Sequence, residues 1–326
     1  MADDFKYHID HHSTLIRPVE MDDVDQSIRE ALRMQRRLGL AALGDGQLRR
    51  RNALAPYYDQ IEGFGAQEST RGPIAELVGE QLAPESRPLV SPPSAKGRLA
   101  ESESTFLVAA IERPILIALP APGYVAELSG ANSADALALA SIVHDEIEAL
   151  AKDGVAYVQL HNPLAAILLT TPGRERATSL GLDADAILAR MKAVDANTIH
   201  DLDVPDNFRV GLDLTTSGAA HGYDPAATAG YLADQPFTRL CVEYPAAESA
   251  RFPIDLLTPG TVVSLGVVDV SEPELEDVDD LVARIDEAAT IIDIDDIAIS
   301  TNGGLATPAK LQLVEMTARY FWGNEL

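Results

Sequence analysis

The sequence predicts an α/β protein built as a single (β/α)8 TIM barrel with an excursion after its second strand. Three observations carry that reading. Eight short apolar runs recur along the 326 residues: HSTLIRP (12–18), LAALGDG (40–46), ILIALPAP (115–122), YVQLHNP (157–163), RVGLDLTTSG (209–218), RLCVEYPA (239–246), VVSLGVVDV (262–270) and IAISTNGG (297–304). Most are separated by a stretch with helical periodicity. Nearly every run closes in a polar or glycine-rich turn, and in such barrels chemistry sits where strands end.

Taken in order, the first run opens the barrel. Residues 20–38 read as an amphipathic helix, with Val24, Ile28 and Leu32 on one face, acids in the first turn, arginines in the last and Gly39 as its stop. After the second run, residues 65–105 are rich in Pro, Ser and Gly; they read as an excursion holding a short helix and a hairpin, flexible over 91–97. Residues 133–153 form a strong helix with Ser133 as N-cap and Gly154 just past its end. Further helices fall at 183–200, 224–234, 274–291 and 307–321, the last seated by Phe321 and Trp322. The acidic run 272–280 reads as a helix start with a solvated face. His8 lies in an unpatterned tail, and residues 1–326 read as one domain.

Composition narrows the partners. A net charge of −26 makes nucleic acid and anionic membrane poor partners for the surface as a whole. No apolar run approaches the roughly 20 residues needed to cross a bilayer, and MADDFKYHID lacks the apolar core of a signal peptide. The expectation is a cytoplasmic protein, monomeric or homodimeric, acting on a small molecule. The single cysteine, Cys241, excludes an internal disulfide and any Cys-rich metal site, and reads as a buried small hydrophobe. No GxGxxG or Walker pattern is present.

The strand ends supply the candidate site. They carry His11, His12 and Arg17 after the first run, Asp45 and Gln47 after the second, and Gln159, His161 and Asn162 at the fourth. Asp213, Thr215 and Thr216 close the fifth, Glu243 and Tyr244 the sixth, Asp269 the seventh, and Thr301 and Asn302 the eighth. A polar ring around one mouth is the signature of a small-molecule enzyme site. His161, Asp213 and Glu243 are the candidate catalytic residues. His11, His12, Arg17, Asp45, Gln47, Gln159, Asn162, Tyr244 and Asn302 are the candidate substrate contacts.

Several blocks, in order and across nearly the whole chain, resemble the cobalamin-independent methionine synthase family in its short single-barrel members. HHSTLIRP resembles H-x-G-S-L-x-R-P, and GLAALGDGQLRRR followed by Ile61-Glu62-Gly63-Phe64 resembles G-x-x-x-x-x-D-G-E-x-x-R with its downstream G-F. ALAKDGVAYVQLHNP is similar to L-x-x-x-G-x-x-x-[IV]-Q-x-D-x-P, RLCVEY to [FL]-x-x-E-[YF], and AISTNGGLAT to L-x-x-x-x-C-G-[FL]-x-[ST]. The resemblance implies methyl transfer to the sulfur of homocysteine, with one zinc holding the thiol as thiolate. It also implies zinc ligands at four positions, which here are Asp213, Thr215, Glu243 and Gly303. Only the Glu is kept, so thiolate-bound zinc is not expected. The family's two amino-acid-binding carboxylates are replaced by Gln47 and His161, which removes the grip on an ammonium group.

Three functional readings follow. The first is a transferase of this superfamily acting at a C–S or similar bond of a small sulfur-containing or anionic substrate. In it His161 serves as acid or base, and His11, His12 and Arg17 supply positive character. The second places a hard divalent metal on His161, Asp213 and Glu243, with His221 as an added ligand. The third is a non-catalytic ligand-binding or partner subunit that keeps the barrel.

Overall fold

The computed structural model describes residues 8–18, 21–67 and 72–323. Glu20 of the predicted first helix and residues 68–71 of the predicted excursion lie outside the described residues. Two antiparallel strands, β1 (Ile61–Phe64) and β2 (Leu89–Ala95), form a hairpin. Six parallel strands follow in chain order: β3 (Leu116–Pro120), β4 (Tyr157–His161), β5 (Arg209–Asp213), β6 (Arg239–Glu243), β7 (Val262–Val268) and β8 (Ile297–Thr301). Every residue of β3, β6 and β8 is buried. Strands covered on both faces read as unbroken apolar runs, which is why these stood out in the sequence.

The sheet curls into a barrel through two short segments. Leu43 pairs with the start of β3, its N–H donating to Pro114 O at 2.9 Å and its carbonyl accepting from Leu116 N–H at 3.0 Å. Ile9 pairs with β8, where Asp10 N–H donates to Ile299 O at 2.8 Å and Ile299 N–H to His8 O at 2.9 Å. Between these two segments Leu15 N–H donates to Gly46 O at 3.1 Å. The circuit is the TIM-barrel fold that the sequence predicts, with its first two strands reduced to single bridges.

Several boundaries move. The first strand lies at His8–Asp10, ahead of 12–18: Ile9 is buried against the barrel, whereas Ile16 is 52% exposed and Ser13 turns the chain with φ 52°. His8 is not in a loose tail; its ring stacks on Trp322 with centroids 4.4 Å apart. Residues 91–95 are strand β2, paired to β1. The helix Ser133–Asp153 is capped by Asn132, whose Oδ1 accepts from Ala134 and Asp135 N–H, and not by Ser133. The acidic run reaches a helix only at Val278, capped by Asp277. Glu276, before that cap, receives Asp269 N–H at 2.5 Å and the Lys310 ammonium at 2.9 Å. Short helices at Pro122–Ser129, Pro163–Leu168 and Thr171–Ser179 escape the periodicity because six to nine residues hold too few turns to show it.

The segment after Leu43 is anchored from below. Arg50 is buried; its Nε and Nη2 donate to Glu103 at 2.5 and 2.6 Å, and Nη1 donates to Ala118 O of β3 at 2.7 Å. Removing one partner of such a pair strands a charge away from water. Glu103→Ala is therefore expected to cost about 3–5 kcal/mol in denaturant unfolding. An unchanged unfolding midpoint would show that the pair does not hold this wall.

Candidate functional site

The carboxyl ends of β3, β4 and β5, with the loops after Asp10, Leu43 and β8, enclose a cavity of about 410 Å3. His12, Arg17, Gln47, Arg50, His161 and Asp213 form much of its polar wall, and Leu15, Leu48, Leu82 and Leu305 much of its apolar wall. The register explains the adjacency, since Pro120, His161 and Asp213 are paired neighbours at the ends of β3, β4 and β5. Gln47, Ser217 and Leu305 line the cavity with left-handed φ of 55°, 59° and 62°. Such strain in residues other than glycine gathers at functional mouths.

His12 and Asp213 form a buried ion pair at the base of this wall. His12 Nδ1 donates to Asp213 Oδ2 at 2.7 Å and Nε2 donates to Thr301 O at 2.8 Å. Burial alone would lower the imidazole, but the Asp213 charge and hydrogen bond overrule it and lift His12 to about 9. Burial would likewise raise Asp213; the charge of His12, with His161 nearby, holds it at about 2 instead. The other carboxylate oxygen, Oδ1, accepts from Thr215 N–H at 2.9 Å and Thr215 Oγ1 at 2.8 Å. Beside the pair, His161 is half-buried and its Nε2 lies 2.8 Å from Thr215 O. Its Nδ1 has no protein partner among the described residues.

The remaining predicted contacts stand elsewhere. His11 is buried outside the cavity; Nε2 meets Ala42 O at 2.8 Å, Nδ1 accepts from Ser13 N–H, and burial lowers it as a base. Asp45 is buried with one oxygen on Gln47 N–H and the other unpartnered, and burial first, then Glu103, lifts it to about 7. Gln159 lies within the barrel, one layer below His161, donating to His11 O and Tyr157 Oη. Asn162 caps the helix Pro163–Leu168 and donates to Asp195. Tyr244 is buried with Arg251 over its ring, and Asn302 ties Asp269 to the Val270 amide. His221 is exposed. Burial pushes the Cys241 thiol well up, which suits a buried apolar residue rather than a nucleophile.

Glu243 does not join the cavity. It is buried, and its Oε1 accepts from Thr216 N–H and Oγ1, both at 2.6 Å, and from Gly218 N–H at 3.3 Å. Burial lifts it to about 7 against those bonds. Among the described residues no three His, Cys, Asp or Glu side chains are grouped to hold a metal ion, so His161, Asp213 and Glu243 do not assemble the hard-metal arrangement. No described helix is long and apolar enough to cross a membrane.

A Listeria monocytogenes structure assigned as a vitamin-B12-independent methionine synthase superposes with TM-score 0.75 at 18% identity, covering 98% of both chains. A B12-independent methionine synthase from Shewanella sp. W3-18-1, in complex with selenomethionine, gives TM-score 0.72 at 16% identity, covering 95% of this chain and 96% of that one. The chain has the fold of the cobalamin-independent methionine synthases. A methyltransferase from Methanosarcina mazei is more distant, at TM-score 0.52 and 14% identity over 96% of this chain and 94% of that one. The uncharacterized proteins YxjH and YxjG of Bacillus subtilis (strain 168) are each 28% identical, over 178 and 174 residues. Those alignments span 52% and 49% of this chain and 46% and 44% of the relatives, so the chain matches under half of their length. No protein-family model matches.

The four positions at which methionine-synthase motifs imply zinc ligands do not fit the ion. Asp213 has given both oxygens to His12 and Thr215. Thr215 offers a hydroxyl already donated to Asp213. Gly303 has no side chain, and a Cβ there would stand 3.0 Å from Ser217 N and Cα and closer still to Ser217 Oγ. Reading strand ends alone missed Arg50 and the Thr215–Gly218 backbone. The signals were present in the Arg49-Arg50-Arg51 run after Gly46 and in the two glycine-bearing turns, TTSG and TNGG.

The His12–Asp213 pair sets a pH window. His12 is raised, so its stabilisation is complete below its unfolded value of 6.5 and is lost as pH rises through about 9. Asp213 is lowered, so its stabilisation is complete above 3.8 and is lost as pH falls through about 2. The stability difference between wild type and His12→Gln, followed by urea titration across pH, should be flat between those unfolded values and shrink on both sides. A difference that grows above pH 9 would contradict the pair.

Proposed function

We propose that this chain is a methionine-synthase-like transferase that moves a methyl or alkyl group at the sulfur of a small anionic substrate, in the mouth cavity and without a thiolate–zinc site. The observation that carries this is His161: half-buried on the cavity wall, with Nε2 against Thr215 O and Nδ1 unpartnered. Nδ1 is then the lone pair that takes the thiol proton as sulfur attacks the donor carbon. The new S–C bond forms as the donor–carbon bond breaks, and its electron pair leaves with the donor. General-base assistance of this kind contributes about 10²–10⁴-fold.

The substrate class follows from the wall. Gln47 and His161 stand where the resemblance places carboxylates, and Asp213 is neutralised by His12. An α-ammonium finds no unpaired carboxylate in that part of the wall. Arg17, beside Leu15, Leu48 and Leu82, suits a carboxylate or phosphate on a short apolar thiol or thioether, whereas Arg51 is held by Asp59 and Glu85. A second reading, a ligand-binding or partner subunit without turnover, is favoured by Leu305 on the cavity wall, which is 46% exposed.

Two measurements separate these. Small anionic thiols lacking an amino group should raise the melting temperature more than their amino-acid counterparts, since a ligand of the native state alone stabilises it. His161→Ala should abolish turnover of such a thiol with a methyl donor and leave the fold intact; unchanged turnover removes His161 from the chemistry. Binding with no turnover in wild type favours the second reading.

A further inference from the structure

We propose that Thr215–Gly218 is a strap laid across the barrel mouth, that it occupies the volume a metal would need, and that it fixes the tautomer of His161, with Glu243 as its positioning residue. The strap leaves β5 at Asp213 and reaches the end of β8, where Ser217 N–H donates to Asn302 O at 3.1 Å. It crosses the ends of β6 and β7 to do so. Glu243, at the end of β6, holds it from beneath through Thr216 N–H, Thr216 Oγ1 and Gly218 N–H. Thr216 Oγ1 in turn accepts from Ala220 N–H at 2.7 Å, so the hydroxyl is used in both directions.

Two features show that the strap is built in. Ser217 adopts φ 59°, a conformation that a side-chain-bearing residue keeps only when its surroundings hold it there. Position 303 is glycine, and any Cβ there would meet the Ser217 backbone. The strap also explains the shape of the cavity. Its wall draws on the loops after Asp10 and Leu43, the segment 80–84, β3, β4, β5, the strap and the loop after β8, and on no residue of β6 or β7.

The strap's first carbonyl, Thr215 O, is the partner of His161 Nε2. A carbonyl only accepts, so Nε2 carries the proton and Nδ1 of this cavity-lining ring is left without one. Glu243 touches neither the cavity nor His161 and acts on the imidazole through the strap. This deepens the reading of His161 as proton acceptor, yet its test needs no substrate. A fixed tautomer with no turnover sinks the transfer reading alone; a mixed tautomer with full turnover sinks the strap alone.

The test is 15N-histidine NMR on the whole chain at about pH 8.5, above the ordinary histidine range, with His161 assigned by signal loss in His161→Gln. Wild type should show one Nε2–H tautomer, and elemental analysis after zinc incubation and desalting should find well under one ion per chain. Glu243→Gln keeps an acceptor oxygen and should keep the tautomer. Glu243→Ala and Gly303→Ala, acting from opposite sides, should each release the strap and give two tautomers in exchange. A wild-type Nδ1–H tautomer overturns the proposal, and that measurement stands even if the alanine variants fail to fold. So does one equivalent of retained zinc, or a tautomer unmoved in both alanine variants.

Discussion

The charge pair between His12 and Asp213 is the constraint on which the mouth depends. Moving two ions out of water is costly unless their attraction and their remaining hydrogen bonds offset the loss. Here each is met: both imidazole N–H groups donate, and both carboxylate oxygens accept. The pair also joins parts that the sheet leaves weakly joined. The first strand contributes only a single bridge to β8, and His12 reinforces it by reaching Thr301 O of β8 and Asp213 of β5 at once. A barrel with abbreviated first strands thus closes through a side chain as well as through its ladder.

That closure shapes recognition. A carboxylate committed to an imidazolium offers nothing to a ligand's ammonium group, so the remaining polar preference of the wall comes from its arginines and amides and from Glu80. Arg50 is neutralised by Glu103, while Arg17 is exposed at the rim and gives one N–H to Arg50 O. The protein as a whole carries −26, which opposes the approach of an anion over long range. At physiological ionic strength fields fade over about 8 Å. Capture of an anion is then a short-range matter, decided by the few cations on the wall rather than by the net charge.

The six central strands were legible because burial on both faces leaves an apolar run with a sharp polar end. The second was legible as well, since LAALGDG holds Leu43, which bridges Ile115; the first was displaced, because one bridge imposes almost no pattern: Ile9 carries the pairing to β8, and the more conspicuous HSTLIRP lies beyond it, with Leu15 bridging Ala306. Site residues were legible only to the level of a ring. Alternation along a strand sends His161 inward and its neighbour Asn162 to a helix cap, while Gln159, of the same parity as His161, lies one layer deeper. Those distinctions follow from register and depth, and a list of strand-end residues contains neither. Glu243 has the inward parity too, and only the loop folded over it keeps it out of the cavity. No spacing in the sequence announces that loop.

The departures from the methionine-synthase motifs make sense as one change rather than three. A cysteine at position 303 and the Ser217 backbone would compete for the same space, so a thiolate there and this strap exclude one another. Once the strap lies there, its amides need an acceptor, and a carboxylate at the end of β6 already stands within reach. This gives Glu243 a structural role that owes nothing to a metal. A carboxylate at position 213 then finds its counter-charge in His12, with Thr215 O turned to His161. In the strap proposed above, a carboxylate at 243 and a glycine at 303 are both explained by the one loop that lies between them.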